Sequence, residues 1–244
     1  MSGRARKHRG RPARVREGQM RVVLTGATGM VGGGVLQACL EDEGIEAVLS
    51  VARRKVGIEH RKLTQLVMPD LFDLAAHGDA LSGFDACLYC LGVSAVGMSE
   101  AEYRRVTHDL TLAVVDALSR RNPDLVVCYV SGRGSDRAGR SRWMWARVKG
   151  EAENALFARD VAAYTFRPGL VQPLRAHRPR SPSQRVVVGI VNLVFPLLRA
   201  LSPGLATSAV DIGRAMIAAA RGKPGKKVFE PRDMDALAST RTRP

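Results

Sequence analysis

The chain is poor in everything that a secreted, membrane-spanning or metal-stapled protein relies on. Its 244 residues hold four cysteines, Cys39, Cys87, Cys90 and Cys128, all in apolar surroundings. No second close pair accompanies Cys87 and Cys90, so no four-ligand zinc site is spelled out and no metal is expected. That pair falls inside the strand-like run Ala86–Leu91. Residues three apart on a strand point to opposite faces, which excludes a shared metal or easy disulfide closure. Four core thiols in a reducing cytoplasm are the expectation. No apolar run is long and unbroken enough to cross a bilayer. The longest late one, Val186 to Leu201, is interrupted by Asn192, Pro196 and Arg199, and reads as a buried or substrate-facing helix. The N-terminal residues lack the apolar stretch of a secretory signal. There is no internal repeat.

Acidic charge is also short, with 23 Asp/Glu against 38 Lys/Arg and a formal net charge of +15. The imbalance is concentrated in residues 1–19, where Arg4, Arg6, Lys7, Arg9, Arg11, Arg14 and Arg16 face Glu17 alone. With no apolar periodicity and several Gly and Pro, this segment is expected as a disordered basic arm. No aromatic side chains are interleaved for base stacking, so no specific nucleic-acid partner is expected. A single Ser and the lack of an apolar helical face argue against an organelle-targeting peptide. An extension ahead of a start at Met20 fits the same residues. The 45% hydrophobic content suits the core of one domain.

What is present is most informative at residues 22–32. The apolar run Val22-Val23-Leu24 leads into Gly26, Gly29 and Gly32, and a helical pattern follows at once. Strand, tight turn and helix start in one short unit bring backbone N–H groups against a pyrophosphate, whose charge the helix dipole favours. Gly26 can take a turn conformation closed to other residues, Gly29 leaves space for phosphate, and Gly32 lets the helix lie close on the strand. The candidate phosphate site is therefore Gly26, Thr28 and Gly29 with Met30, Val31 and Gly32 at the helix start.

Further strands are expected at 47–51, 63–67, 86–91, 125–130 and 162–166. Helices are expected at 30–41, 71–81, 99–121, 143–158, 185–201 and 208–221. Ser99 with Glu102 three residues on spells a capping box. Alternating strands and helices imply an α/β, doubly wound parallel Rossmann sheet with a small C-terminal helical substrate lobe. The organisation expected is a nucleotide-binding domain over 20–167, a pocket-forming segment over 168–230 that completes it, and a flexible tail over 231–244. Ligand then sits where the loops after Leu24, Val51, Leu91, Val130 and Phe166 surround one crevice.

Strand 2 ends Val51-Ala52-Arg53-Arg54-Lys55 with no Asp or Glu to grip a ribose 2′-hydroxyl. An Arg fork there pairs with a 2′-phosphate, so Arg53 points to NADP, with NAD retained as an option. A solvated loop end also fits Arg53 and Arg54. Asp70 and Leu71 follow strand 3 where the adenine passes; Asp70 suits the adenine amino group and, equally, the N-cap of the next helix.

Taken together, these residues resemble the short-chain dehydrogenase/reductase superfamily, in its extended or atypical branch of NAD-dependent epimerase/dehydratase-like, NAD(P)H-binding proteins. The resemblance rests on residues 25–32, Leu91-Gly92-Val93-Ser94, Ser131, Lys149-Gly150-Glu151 and Arg167-Pro168-Gly169, and covers about 21–221. The stretch Trp145 to Glu153 is similar to the small branch of Tat-interacting reductase-like proteins. The resemblance implies that Ser131 bonds the substrate oxygen and Lys149 holds the nicotinamide ribose. It also implies that Gly92 keeps its loop close to the cofactor and that Pro168 walls the nicotinamide. A turn serine and a solvated lysine also fit Ser131 and Lys149.

One departure stands out. The family places Tyr four residues before its Lys, on the same helical face; here that position is Trp145. Indole is a donor only and does not relay protons. Ser131, Ser135, a water, Tyr129 or Tyr103 are the candidate substitutes, and ordinary helix packing also explains Trp145 beside Trp143. The expected function is hydride transfer on a small carbonyl or hydroxyl substrate, the alternative a non-catalytic NADP(H)-binding regulatory or redox-sensing module acting through a partner. Few polar groups in 168–205 (Gln172, Ser181, Gln184, Asn192) suggest a partly hydrophobic substrate or a homodimer contact, the chain being a monomer or homodimer.

Overall fold

Val22 and Leu24 face one way and Val23 the other, and all three are fully buried. β1 (Met20–Thr25) therefore lies in the middle of a sheet covered on both sides. The computed structural model describes residues 19–172 and 206–239 and shows that sheet. Seven parallel strands run in the order β3-β2-β1-β4-β5-β6-β9. They are β2 (Ile45–Ala52), β3 (Leu63–Val67), β4 (Ala86–Tyr89), β5 (Val126–Val130), β6 (Ala162–Phe166) and the short β9 (Val228–Phe229) around β1. β7 (Leu170–Gln172) and β8 (Ala206–Ser208) pair separately, also in parallel. Strand order reverses between β1 and β4, and sheets of this kind bind ligands outside the strand ends at that switch point.

Against the face carrying Val22, Leu24, Leu88 and Cys128 pack α1 (Met30–Glu41), α5 (Ala209–Gly222) and α6 (Pro231–Ser239). α1 and α5 approach at glycine: a Cβ on Gly34 would lie 2.3 Å from the Cβ of Ala209. The opposite face, with Val23, Cys87, Tyr89 and Tyr129, is covered by a 3-10 helix (Leu71–Leu81), α3 (Leu110–Ser119) and α4 (Met144–Phe157). α2 (Glu100–Arg104) starts on the expected capping box, Ser99 accepting from the Glu102 N–H while Glu102 accepts from the Ser99 N–H. It reaches α3 through one π-helical turn, Arg105–Asp109, where the sequence suggests an unbroken helix.

The tail reading is corrected at residues 231–239, which are α6. Pro231 opens that helix, where a missing N–H loses no bond, and Met234 is fully buried. The helix is hard to see in the sequence because Arg232, Asp233 and Asp235 leave it only two large apolar residues, Met234 and Leu237. The arm up to residue 18, the 185–201 helix with Asn192, Ser181 and Gln184, and residues 240–244 lie outside the described residues. Among the described residues no helix is long and apolar enough to cross a membrane, and no cluster of His, Cys, Asp and Glu could hold a metal.

All four thiols are free, with Cys87 on one face of the sheet and Cys39, Cys90 and Cys128 on the other. Burial pushes Cys39 and Cys87 up to about 12 and Cys90 and Cys128 well up. In the unfolded chain thiols ionise near 8.5, so above that pH the unfolded state releases protons that the folded state keeps. Stability therefore falls as pH rises. Each thiol contributes a loss of about 1.4 kcal/mol per pH unit above about 9. Urea midpoints measured from pH 7 to 10 should drop steeply at the alkaline end, and Cys87→Ala should flatten that slope. A slope unchanged by the substitution refutes the assignment.

Candidate functional site

The glycine turn has the geometry a phosphate cradle needs. Gly26 sits at φ +75°, and a Cβ there would lie 2.6 Å from the Cys90 carbonyl oxygen. A Cβ on Gly32 would lie 2.1 Å from the Gly26 oxygen, so α1 rests directly on the turn. Gly29 is exposed, and the turn closes through a 2.8 Å bond from its N–H to the Gly26 oxygen. Gly29 is also the N-cap of α1, and no side chain caps that end. The first-turn N–H groups of Met30, Val31 and Gly32 thus lack a side-chain partner at the positive end of a helix dipole, open to an anion. These residues fit a dinucleotide pyrophosphate.

Around the crevice, Arg53 and Arg54 are exposed immediately past β2 and have no ion-pair partner among the described residues. Asp70 caps the 3-10 helix, its Oδ1 accepting from the Phe72 N–H at 3.0 Å, while its side chain stays exposed. Leu71 is buried in the core, so only its backbone is available to a nucleotide. Gly92 is exposed, with no neighbour where a Cβ would go. Pro168 is buried and its carbonyl accepts from the Arg133 N–H at 3.1 Å, tying the loops after β5 and β6 together.

Ser131 leaves the end of β5 and Lys149 sits one turn past Trp145 on α4; the fold brings them together. A methyl group added at Gly132 would lie 3.6 Å from Lys149 Cδ and 4.0 Å from Ser135 Oγ. Ser131 Oγ and Ser135 Oγ, both buried, are 2.9 Å apart, and Ser135 donates to the Gly132 carbonyl at 2.7 Å. A carbonyl only accepts, so Ser135's single proton is committed to it and Ser131 is the donor within the serine pair. Burial lowers Lys149 to about 8, against the raising influence of Glu153. Its ammonium lies 5.8 Å above the Tyr129 ring. Tyr129 and Tyr103, two of the candidate proton relays, are both buried, and burial raises both phenols. Neither suits proton transfer near neutral pH. Trp145 is half-buried, 3.4 Å from where a Gly134 Cβ would sit.

Two further residues, Glu153 and Gly150, support this site. Glu153, fully buried one turn past Lys149, forms a two-point ion pair with Arg167 at 2.9 and 2.5 Å. The i, i+4 spacing from Lys149 was the available signal. Gly150 lies against the serine loop: a Cβ there would come within 1.9 Å of the Asp136 carbonyl oxygen, and the Asp136 N–H bonds the Ala146 oxygen at 2.9 Å.

Comparison with known proteins bears on the family and the fold. The profile of the NAD dependent epimerase/dehydratase family matches residues 22–136. A protein named fmp52, mitochondrial, of Aspergillus fumigatus is 32% identical over 210 residues, covering 80% of this chain and 85% of that one. Among solved structures, an oxidoreductase of the short-chain dehydrogenase/reductase family from Burkholderia thailandensis superposes with a TM-score of 0.65 at 19% identity, covering 91% and 94% of the two chains. The Bordetella bronchiseptica enzyme WbmF in complex with NAD+ gives 0.62 at 16% identity, covering 89% and 77%. At such identities the structural likeness speaks for the fold.

Proposed function

This chain belongs to the NAD-dependent epimerase/dehydratase family of the short-chain dehydrogenase/reductase superfamily, and from that premise we propose that it is an NADP-preferring oxidoreductase acting on a small, partly hydrophobic carbonyl or hydroxyl compound. The observation that carries the reading is an open phosphate cradle at the strand-order switch, on the same sheet edge as a buried Ser131–Ser135 pair beside Lys149. Bound there, the nicotinamide supplies or accepts a hydride. Met30, Val31 and Gly32 hold the pyrophosphate by backbone N–H groups, Arg53 holds a 2′-phosphate, and Asp70 the adenine edge. Lys149 holds the nicotinamide ribose, and Gly92 and Pro168 bound the site.

The serine pair sets how protons move. Because Ser131 donates to Ser135, its oxygen is left to accept a hydrogen bond from a substrate hydroxyl, without taking that proton itself. To donate to a carbonyl, Ser131 has to release Ser135 first. Lys149, titrating near 8, would take up an alcohol's proton as the neutral amine and become the ammonium, or return that proton to an alkoxide as the ammonium and become the amine. Trp145 contributes no proton and offers a flat wall.

Titration with NADPH and NADH, followed through Trp143 and Trp145 fluorescence, tests cofactor binding; oxidation of NADPH over a panel of aldehydes and ketones tests turnover. Arg53→Glu should weaken NADPH by roughly 10- to 100-fold, the worth of a charge-assisted bond, and leave NADH little changed. Equal losses for both cofactors overturn the NADP assignment. The replacement of tyrosine by Trp145 favours a second reading, a regulatory NADP(H)-binding module acting through a protein partner. Tight NADPH binding with no turnover across the panel would select it. The free cysteines suit a reducing compartment such as the cytoplasm; the fungal relative's name places that protein in mitochondria, and fractionation of the tagged chain decides between them.

A further inference from the structure

The large apolar side chains left exposed are not scattered. Among the described residues they are Ile58, Val67, Val93, Val96 and Trp143. Val67 is the last residue of β3, Val93 and Val96 lie in the loop after β4, and Trp143 ends the loop after β5. The four therefore lie at the end of the sheet where the parallel strands finish. The loop of residues 91–99 holds no charged residue, and its tip is a turn at Gly97 (φ +78°) that leaves Val96 90% exposed. Trp143 is 57% exposed, with the Arg142 guanidinium 5.0 Å from its ring.

The two loops are held side by side. Arg147 donates to Glu100 at 2.6 Å, just past the first loop, and to the Ser141 carbonyl at 2.7 Å, inside the second. Arg104 on α2 also pairs with Glu151 on α4. The apolar tips are thus carried on a braced frame. Cations surround them: Arg133, Arg140 and Arg142 on the second loop and Arg54 and Lys55 after β2 are exposed, and none has an ion-pair partner among the described residues. Of the acids on this edge, Asp136 is turned onto its own loop, accepting from the Ala138 and Ser141 N–H groups at 2.9 and 2.5 Å, and Asp70 caps the 3-10 helix.

From these observations we propose that this edge docks on an anionic lipid surface, with Val96 and Trp143 entering the headgroup region and the surrounding arginines meeting lipid phosphates. A tryptophan with one wet edge, an uncharged apolar tip and unpaired cations is the combination an interfacial layer accommodates. A nucleic acid would bind the arginines but has no use for Val93 and Val96. The docking is independent of whether the site turns over substrate.

The test uses the full chain with Trp145→Phe, which leaves Trp143 as the single tryptophan emitter, mixed with phosphatidylglycerol/phosphatidylcholine vesicles and, separately, with pure phosphatidylcholine. The expected result is co-sedimentation with the anionic vesicles alone, a blue shift of Trp143 emission and its protection from iodide. In the same background Val96→Asp should weaken binding by about tenfold and Arg142→Ala by about fivefold. Val96 touches little, so its variant keeps the fold, which circular dichroism verifies. Three results overturn the proposal: no anionic preference, co-sedimentation in which Trp143 stays open to iodide (the basic arm then does the binding), or protection of Trp143 at high protein concentration without lipid, which assigns the edge to a second copy.

Discussion

Replacing Trp145 by tyrosine is expected to raise turnover of NADPH with an accepted aldehyde or ketone by about 10²- to 10⁴-fold, the usual worth of a placed general acid–base. The position is one helical turn before Lys149, so a phenol there converges with the ammonium on the same side of α4. The Lys149 ammonium would lower the phenol from its ordinary value of about 10, beside the Ser131–Ser135 pair that we propose as the seat of the substrate oxygen. Trp145→Tyr should also move the pH dependence of turnover, because the titrating group changes from an amine to a coupled phenol–amine pair. Equal turnover in variant and parent, with NADPH affinity retained, would show that this face of α4 does not handle the proton. The serine relay alone would then carry whatever chemistry the chain performs.

Gly32→Ala is expected to do the greatest damage at the cofactor site. Its added carbon would stand 2.1 Å from the Gly26 oxygen and 2.5 Å from the Gly26 carbonyl carbon, both backbone atoms of a closed turn. Either α1 lifts or the turn opens. We expect a loss of about 1–3 kcal/mol in stability, the cost of overpacking, together with a fall on the order of 10²-fold in dinucleotide affinity as one backbone N–H bond to phosphate is displaced. Gly29→Ala separates the two effects. Gly29 has ordinary extended backbone (φ −88°), and its added carbon approaches a single atom, the Gly26 oxygen at 3.1 Å. That variant should melt near the parent and still bind poorly, since the methyl group stands where phosphate approaches. Unaltered affinity in both variants would remove the cradle from the argument.

These contrasts indicate which features a sequence makes legible. The glycine turn, the capping box at Ser99 and the strand at 63–67 are written in contiguous residues, and the structure has all three. The π-helical turn at Arg105–Asp109 leaves no local mark, because its apolar spacing differs from that of an α-helix by a single residue. Strands β7 to β9 are two or three residues long, too short for periodicity to register. At the site, Ser131 and Lys149 were readable through the family pattern. The donor direction within the serine pair was not, since it depends on the Gly132 carbonyl. The Glu153–Arg167 pair joins α4 to the end of β6 and exists only once both are packed. Asp70 shows the opposite case: of the two readings the sequence allows, the capping bond is visible, and it uses one carboxylate oxygen.

The contact of Gly150 with Asp136 reaches beyond local packing. Two main chains there touch without an intervening side chain, one bearing the serines and the other the lysine. The spacing between the two backbones that carry hydroxyl and amine is consequently a property of the scaffold rather than of a side-chain contact. A lineage working with such a frame can exchange the residue at 145 and alter the chemistry while the remaining partners keep their places. Rearranging those partners instead would require shifting a whole helix.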